Sequence, residues 1–80
     1  MQKIMVIEDD PAIREELALL LENEGYTPLM VTEFTDVPGH AAQKCPALVL
    51  LDIGLPGKDG FSLCAALLKD VPVQVIFVTS

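Results

Sequence analysis

The chain has 80 residues, 51% of them apolar, with 12 acidic and 5 basic side chains and a net charge of −7. That length holds one small domain, and the apolar fraction with a mean hydropathy of +0.46 excludes a disordered acidic tail. An acidic balance repels phosphate backbones, so this segment is not expected to bind DNA or RNA by itself.

No apolar run approaches the roughly 18–20 residues of a membrane span. Glu8, Asp9 and Asp10 interrupt the N-terminus where a secretory signal would place its apolar stretch. A soluble cytoplasmic protein is therefore expected, without membrane contact. Cys45 and Cys64 are too few for a disulfide framework, and without a nearby histidine pair they do not suggest zinc. They read as two buried or half-buried thiols in a reducing compartment.

Lys3 to Ile7 is a short, nearly continuous apolar run, suited to a strand buried on both faces of a parallel sheet. Asp10-Pro11 then supplies a helix cap followed by proline at the first helical position. Ile13, Leu17, Leu20 and Leu21 recur at i, i+4, i+7 and i+8, the stripe of an amphipathic helix, which Gly25 stops. Tyr26 to Val31 reads as a second strand, and Pro28 predicts that it lies at a sheet edge, since proline cannot donate to a ladder. Thr35 or Asp36 could cap a second helix to about Lys44, weakened by Pro38 and Gly39. His40 reads as a solvated residue on it. Ala47 to Leu51 is a third buried strand closed by Asp52, and Leu55 to Gly60 is rich in turn residues. Phe61, Cys64, Leu67 and Leu68 predict the apolar face of a third helix, and Val73 to Val78 a fourth strand.

The order is β-α-β-α-β-α-β. Such alternation calls for right-handed crossovers and a doubly wound parallel sheet, whose ligands bind off the carboxyl ends of the strands. Glu8 and Asp9 follow the first strand, Asp52 the third and Thr79 the fourth. If the first and third strands are neighbours, their carboxylates share one cleft and repel, and a bound Mg²⁺ relieves the repulsion. The ion would also screen Asp52 as a nucleophile toward a phosphoryl group, giving an aspartyl phosphate that Thr79 can hydrogen-bond. Plainer readings stand beside this one. Glu8-Asp9-Asp10 could be an acidic turn capping a helix, Asp52 a solvated strand end, and Thr79 an ordinary β-branched strand residue. The occurrence of all of them in order, where folding does not need them, favours the site.

Ile4 to Asp10, Leu50 to Gly60, and Val71-Pro72 leading to Val78-Thr79-Ser80 together resemble the receiver domain of two-component response regulators, over the whole length. Glu8-Asp9-Asp10 and the Leu-Pro-Gly-x-x-Gly-Phe turn are most similar to the OmpR/PhoB-type transcription regulators. The resemblance implies a flavodoxin-like, CheY-like α/β fold with strand order 2-1-3-4. It implies that Asp52 takes a phosphoryl group from a sensor histidine kinase. Mg²⁺ would be held by Asp9 and Asp52, by the backbone carbonyl of Gly54, and with Glu8 assisting. Thr79 would be the switch hydroxyl and Ser80 the small residue after it, while Leu55, Pro56 and Gly60 shape the loop.

By the same resemblance the family's last helix-strand-helix portion, with the lysine that ion-pairs the phosphoryl group, lies beyond Ser80, as does a DNA-binding output domain. A partial receiver domain over 1–80 is the expectation. It would have an open edge at Val73 to Val78 and a tendency to self-associate. Two alternatives remain: a receiver-like interaction module that works without phosphate, and a Mg²⁺-dependent phosphohydrolase with an aspartate nucleophile. The intact Glu8/Asp9/Asp52/Thr79 set argues against the first, and the lack of an Asp-x-Asp arrangement after the first strand argues against the second.

Overall fold

A computed structural model describes residues 2–31, 36–52, 54 and 60–78. The elements are β1 (Lys3–Ile7), α1 (Pro11–Asn23), β2 (Thr27–Val31), α2 (Val37–Lys44), β3 (Leu48–Asp52), α3 (Gly60–Asp70) and β4 (Gln74–Val78). The four strands form one parallel sheet in the order β2-β1-β3-β4. Among the described residues, no helix is long and apolar enough to cross a membrane.

Pro28 sits on the edge strand, as expected. The Thr27 amide donates to the Gln2 carbonyl at 2.9 Å, so alternation turns the donorless nitrogen of Pro28 to the open side, where no ladder bond is lost.

The chain steps from β1 to β2 in one direction, then returns over β1 to β3 and on to β4. With right-handed crossovers, α1 covers one face and α2 with α3 the other. Strand residues divide accordingly. Met5, Ile7, Val31, Val49 and Leu51 join Val37 and Ala41 of α2, Leu67 of α3 and Val71 in one buried cluster. Ile4 and Val6 point oppositely, and both are buried.

Three expectations about side-chain burial are corrected. In α1 no residue is fully buried; Ile13, Leu17 and Leu21 are half-buried, whereas Leu20 is 61% exposed. The helix lies over β1 and β2, and Leu20, turned some 60° from the Leu17 direction by the helical period, falls on the flank away from them. In α3 the inward line is Gly60, Leu63, Cys64 and Leu67, while Phe61 and Leu68 are 64% and 55% exposed. Phe61 instead packs on Phe77 of β4, ring centroids 5.1 Å apart. Cys45 is exposed rather than buried or half-buried; it ends α2 in a left-handed conformation (φ 51°) that turns its side chain outward.

α2 is a regular helix despite Pro38. The proline falls in the first turn, where an amide has no intrahelical acceptor to lose, and Asp36 caps it by accepting from the Gly39 amide at 3.3 Å. Thr35, the other candidate cap, lies outside the described residues.

Candidate functional site

Ile7 of β1 pairs with Leu51 of β3. One residue further, Glu8 and Asp52 meet at the carboxyl edge of the sheet, beside the point where the strand order reverses. In doubly wound sheets this is where ligands bind.

Both carboxylates are buried, each residue only 1% exposed, and Asp9 beside them is half-buried. Ligand oxygens of Glu8, Asp9 and Asp52 all lie within 4.8 Å of one another. Acidic groups are rarely buried without partners, and the two buried ones, Glu8 and Asp52, are each held by a backbone amide. The Asp10 amide donates to Glu8 Oε1 at 3.1 Å, and the Gly54 amide donates to Asp52 Oδ1 at 2.8 Å. Arg14, one turn into α1, reaches the Glu8 carbonyl oxygen with Nη1 at 3.4 Å. Sequence reasoning missed this contact; the signal was a lone arginine on the first turn after an acidic strand end.

Asp10 plays a different part. It is exposed, and its Oδ1 accepts from the Ala12 amide at 2.9 Å, the bond of a helix N-cap. The capping explanation therefore applies to Asp10, and Glu8 and Asp9 are left to the cluster.

The electrostatics follow from the crowding. Burial above all, then the neighbouring Asp52 as hydrogen-bond partner and like charge, and Asp9, together raise the Glu8 carboxyl to about 7 against the Asp10 amide, which lowers it. Three carboxylates this close are relieved by a cation. Their hard oxygens, two of them on rigid strand ends, suit Mg²⁺, which takes few carboxylates and keeps room for water and phosphate oxygens. The donor set fits that ion.

Of the other site residues expected from sequence, Gly54 is exposed and tied to Asp52 through its amide. Gly60 is buried as the first residue of α3. Val78, which precedes Thr79, is the register partner of Asp52. Thr79, Ser80, Leu55 and Pro56 lie outside the described residues.

Comparison with known proteins bears on the same residues. Residues 4–80 match the family described as the response regulator receiver domain. The DNA-binding response regulator MtrA of Mycolicibacterium smegmatis is 33% identical over 79 residues, 99% of this chain and 35% of its own length. The transcriptional regulatory protein YxdJ of Bacillus subtilis is 36% identical over 80 residues, all of this chain and 35% of its own. The chain thus spans about a third of the length of these relatives. Among solved structures, the BeF3-activated N-terminal receiver domain of RstA from Klebsiella pneumoniae superposes with a TM-score of 0.88 at 34% identity, over 99% of this chain and 68% of that one. With the strand order 2-1-3-4, the helices on both faces and the acidic cluster at the switch point, these matches establish that the chain belongs to the receiver domains of two-component response regulators.

Proposed function

We propose that Asp52 is the phospho-acceptor of a signalling module that receives its phosphoryl group from a sensor histidine kinase. The observation that carries this is the burial of Asp52 at a strand end, against Glu8 and Asp9, where no packing requirement calls for a carboxylate. An Asp52 oxygen attacks phosphorus as the phosphorus–nitrogen bond of the donor histidine breaks; the histidine nitrogen takes up a proton and the product is an aspartyl phosphate. The Gly54 amide on Oδ1 fixes the carboxylate plane for that attack. Asp9, Asp52 and the Gly54 carbonyl would hold Mg²⁺ with Glu8 assisting, and the bound ion would supply charge neutralisation for the phosphoryl oxygens. Thr79, and Ser80 after it, meet the phosphoryl group; Leu55, Pro56 and Gly60 shape the loop beside it.

The chain acts in this reading as a cytoplasmic phospho-accepting switch rather than an enzyme with a separate substrate. It is the partial receiver domain of a longer regulator whose output domain binds DNA. The relatives that are DNA-binding or transcriptional regulators support that output. For the 80 residues taken alone, self-association through the edge strand β4, whose Ile76 and Phe77 are 50% and 39% exposed, is part of the proposal.

Intact mass after incubation with acetyl phosphate and Mg²⁺ tests the acceptor. A Mg²⁺-dependent gain of one phosphoryl, abolished by Asp52→Ala, is expected for this chain or for a longer chain that extends it. No gain in either, with both folded, overturns the assignment in favour of a receiver-like module that works through protein contacts alone.

A further inference from the structure

Helices that link parallel strands carry the chain back across the sheet, so each begins at the carboxyl edge and ends at the amino edge. This sorts the basic side chains. Lys3 opens β1, Lys44 closes α2 and Lys69 stands next to the end of α3, all toward the amino edge. Arg14, the fourth residue of α1, is the one basic side chain among the described residues at the carboxyl edge, where Glu8, Asp9 and Asp52 meet. Lys58 lies outside the described residues.

The helix itself gives no reason for a cation at this position. Arg14 closes the first turn, its amide donating to the Asp10 carbonyl at 2.9 Å, and a positive charge near a helix N-terminus opposes the dipole. The residue is nevertheless half-buried. Helical side chains tilt toward the N-terminus, which brings the guanidinium back over the junction of β1 and α1. There Nη1 donates to the Glu8 carbonyl oxygen at 3.4 Å, a backbone oxygen rather than a carboxylate. That carbonyl shares one rigid peptide plane with the Asp9 nitrogen. Beside it, the Asp10 amide donates to Glu8 Oε1 at 3.1 Å. The two bonds hold the step from Glu8 to Asp10 from either side.

The need for such a hold differs between the carboxylates. Asp52 stands within β3, in register with Val78 of β4. Asp9 follows the end of β1 and belongs to no strand. We propose that Arg14 is a positioning residue for the acidic site: by fixing the Glu8–Asp9 peptide it sets the direction in which the Asp9 carboxylate meets Asp52. This rests on the Mg²⁺ part of the proposed function. Mg²⁺ demands near-octahedral ligands at about 2.0–2.1 Å, so a small swing of Asp9 costs the ion much and the fold little.

Calorimetric Mg²⁺ titration, and amide hydrogen exchange of the metal-free chain, test this in wild type, Arg14→Lys and Arg14→Met. All three side chains favour helix, and methionine keeps an apolar stem while removing donor and charge. Two roles predict opposite signs. Were Arg14 only a positive charge beside the site, its removal would tighten Mg²⁺. As a positioning residue, its loss in Arg14→Met weakens Mg²⁺ about tenfold, as for other groups that orient metal ligands. Arg14→Lys, which still donates, recovers most of that affinity. Without metal, the Asp10 amide exchanges faster in Arg14→Met, while the Val71 amide, bonded to the Leu67 carbonyl at the other end of the sheet, does not. Unchanged or raised Mg²⁺ affinity in Arg14→Met overturns the proposal, as does unaltered exchange at Asp10. Equal acceleration at Asp10 and Val71 marks a general loss of structure and overturns it too. Wild type that binds no Mg²⁺ sinks the metal reading instead, and the exchange comparison still decides whether Arg14 holds the turn.

Discussion

Glu8 and Asp52 come from neighbouring parallel strands, are each 1% exposed, and stand with carboxylate oxygens within 4.8 Å of each other. Two like charges so placed cannot both be comfortable in the ionised form. Burial and the Asp52 charge raise the Glu8 carboxyl to about 7, so it is partly protonated near neutral pH.

Stability of the metal-free chain should therefore fall as pH rises. A carboxyl raised from 4.5 to about 7 by folding binds its proton more tightly in the folded state. Its contribution is fully present below pH 4.5 and is lost as pH rises through about 7. Denaturant midpoints taken across pH 4.5–8 should show that decline. Glu8→Gln should flatten it, and saturating Mg²⁺ should reverse it, because the ion binds the deprotonated site. A profile identical in wild type and Glu8→Gln would show that the raised carboxyl has no thermodynamic weight.

Asp52→Asn should stabilise the metal-free chain while abolishing phosphorylation. The amide oxygen keeps the bond from the Gly54 amide, and the charge that opposes Glu8 is removed. A gain on the order of 1 kcal/mol at pH 7–8 is expected from relief of the repulsion, read as a raised thermal midpoint. Loss of stability would mean that the Asp52 charge is already balanced by groups in the fold.

The three consecutive acids should separate by role. Asp10→Ala removes the cap bond to the Ala12 amide and should cost about 1 kcal/mol of stability with Mg²⁺ affinity little changed. Asp9→Ala should do the opposite, weakening Mg²⁺ strongly and stability little. Isothermal titration with Mg²⁺ beside thermal melts of both variants decides it; equal effects on both measurements would dissolve the distinction.

Adjacent leucines on α3 offer a test of packing. Leu67 is fully buried in the main cluster, and Leu68 is 55% exposed. Leu67→Ala should cost about 2–5 kcal/mol, a large share of what a domain this size holds. Leu68→Ala should stay within about 0.5 kcal/mol. Urea midpoints of the two variants provide the comparison.

Much of this architecture is legible in the residues because its causes are local. Pro28 marked an edge strand through its missing donor. Asp10-Pro11 and Gly25 bounded α1, and the nearly continuous apolar runs at Lys3–Ile7 and Ala47–Leu51 called for a parallel sheet. Helix faces were less legible. Periodicity alone groups Leu20 with Leu17 and Leu21, and Phe61 and Leu68 with Leu67. Which flank is covered depends on where the sheet lies beneath each helix, a fact carried by strands far away in the chain.

The same division holds at the site. By itself the sequence determined the strand-helix alternation and placed carboxylates at the ends of the first and third strands, since apolar runs, proline and caps act over a few residues. The tertiary structure set β1 beside β3, as the resemblance implied, and it alone decided that Glu8 and Asp52 are buried together with Asp9 half-buried beside them, and that Leu20, Phe61 and Leu68 face outward. Those outcomes depend on contacts between segments some 40 residues apart, whose energies arise when the sheet assembles and brings separate charges and surfaces face to face.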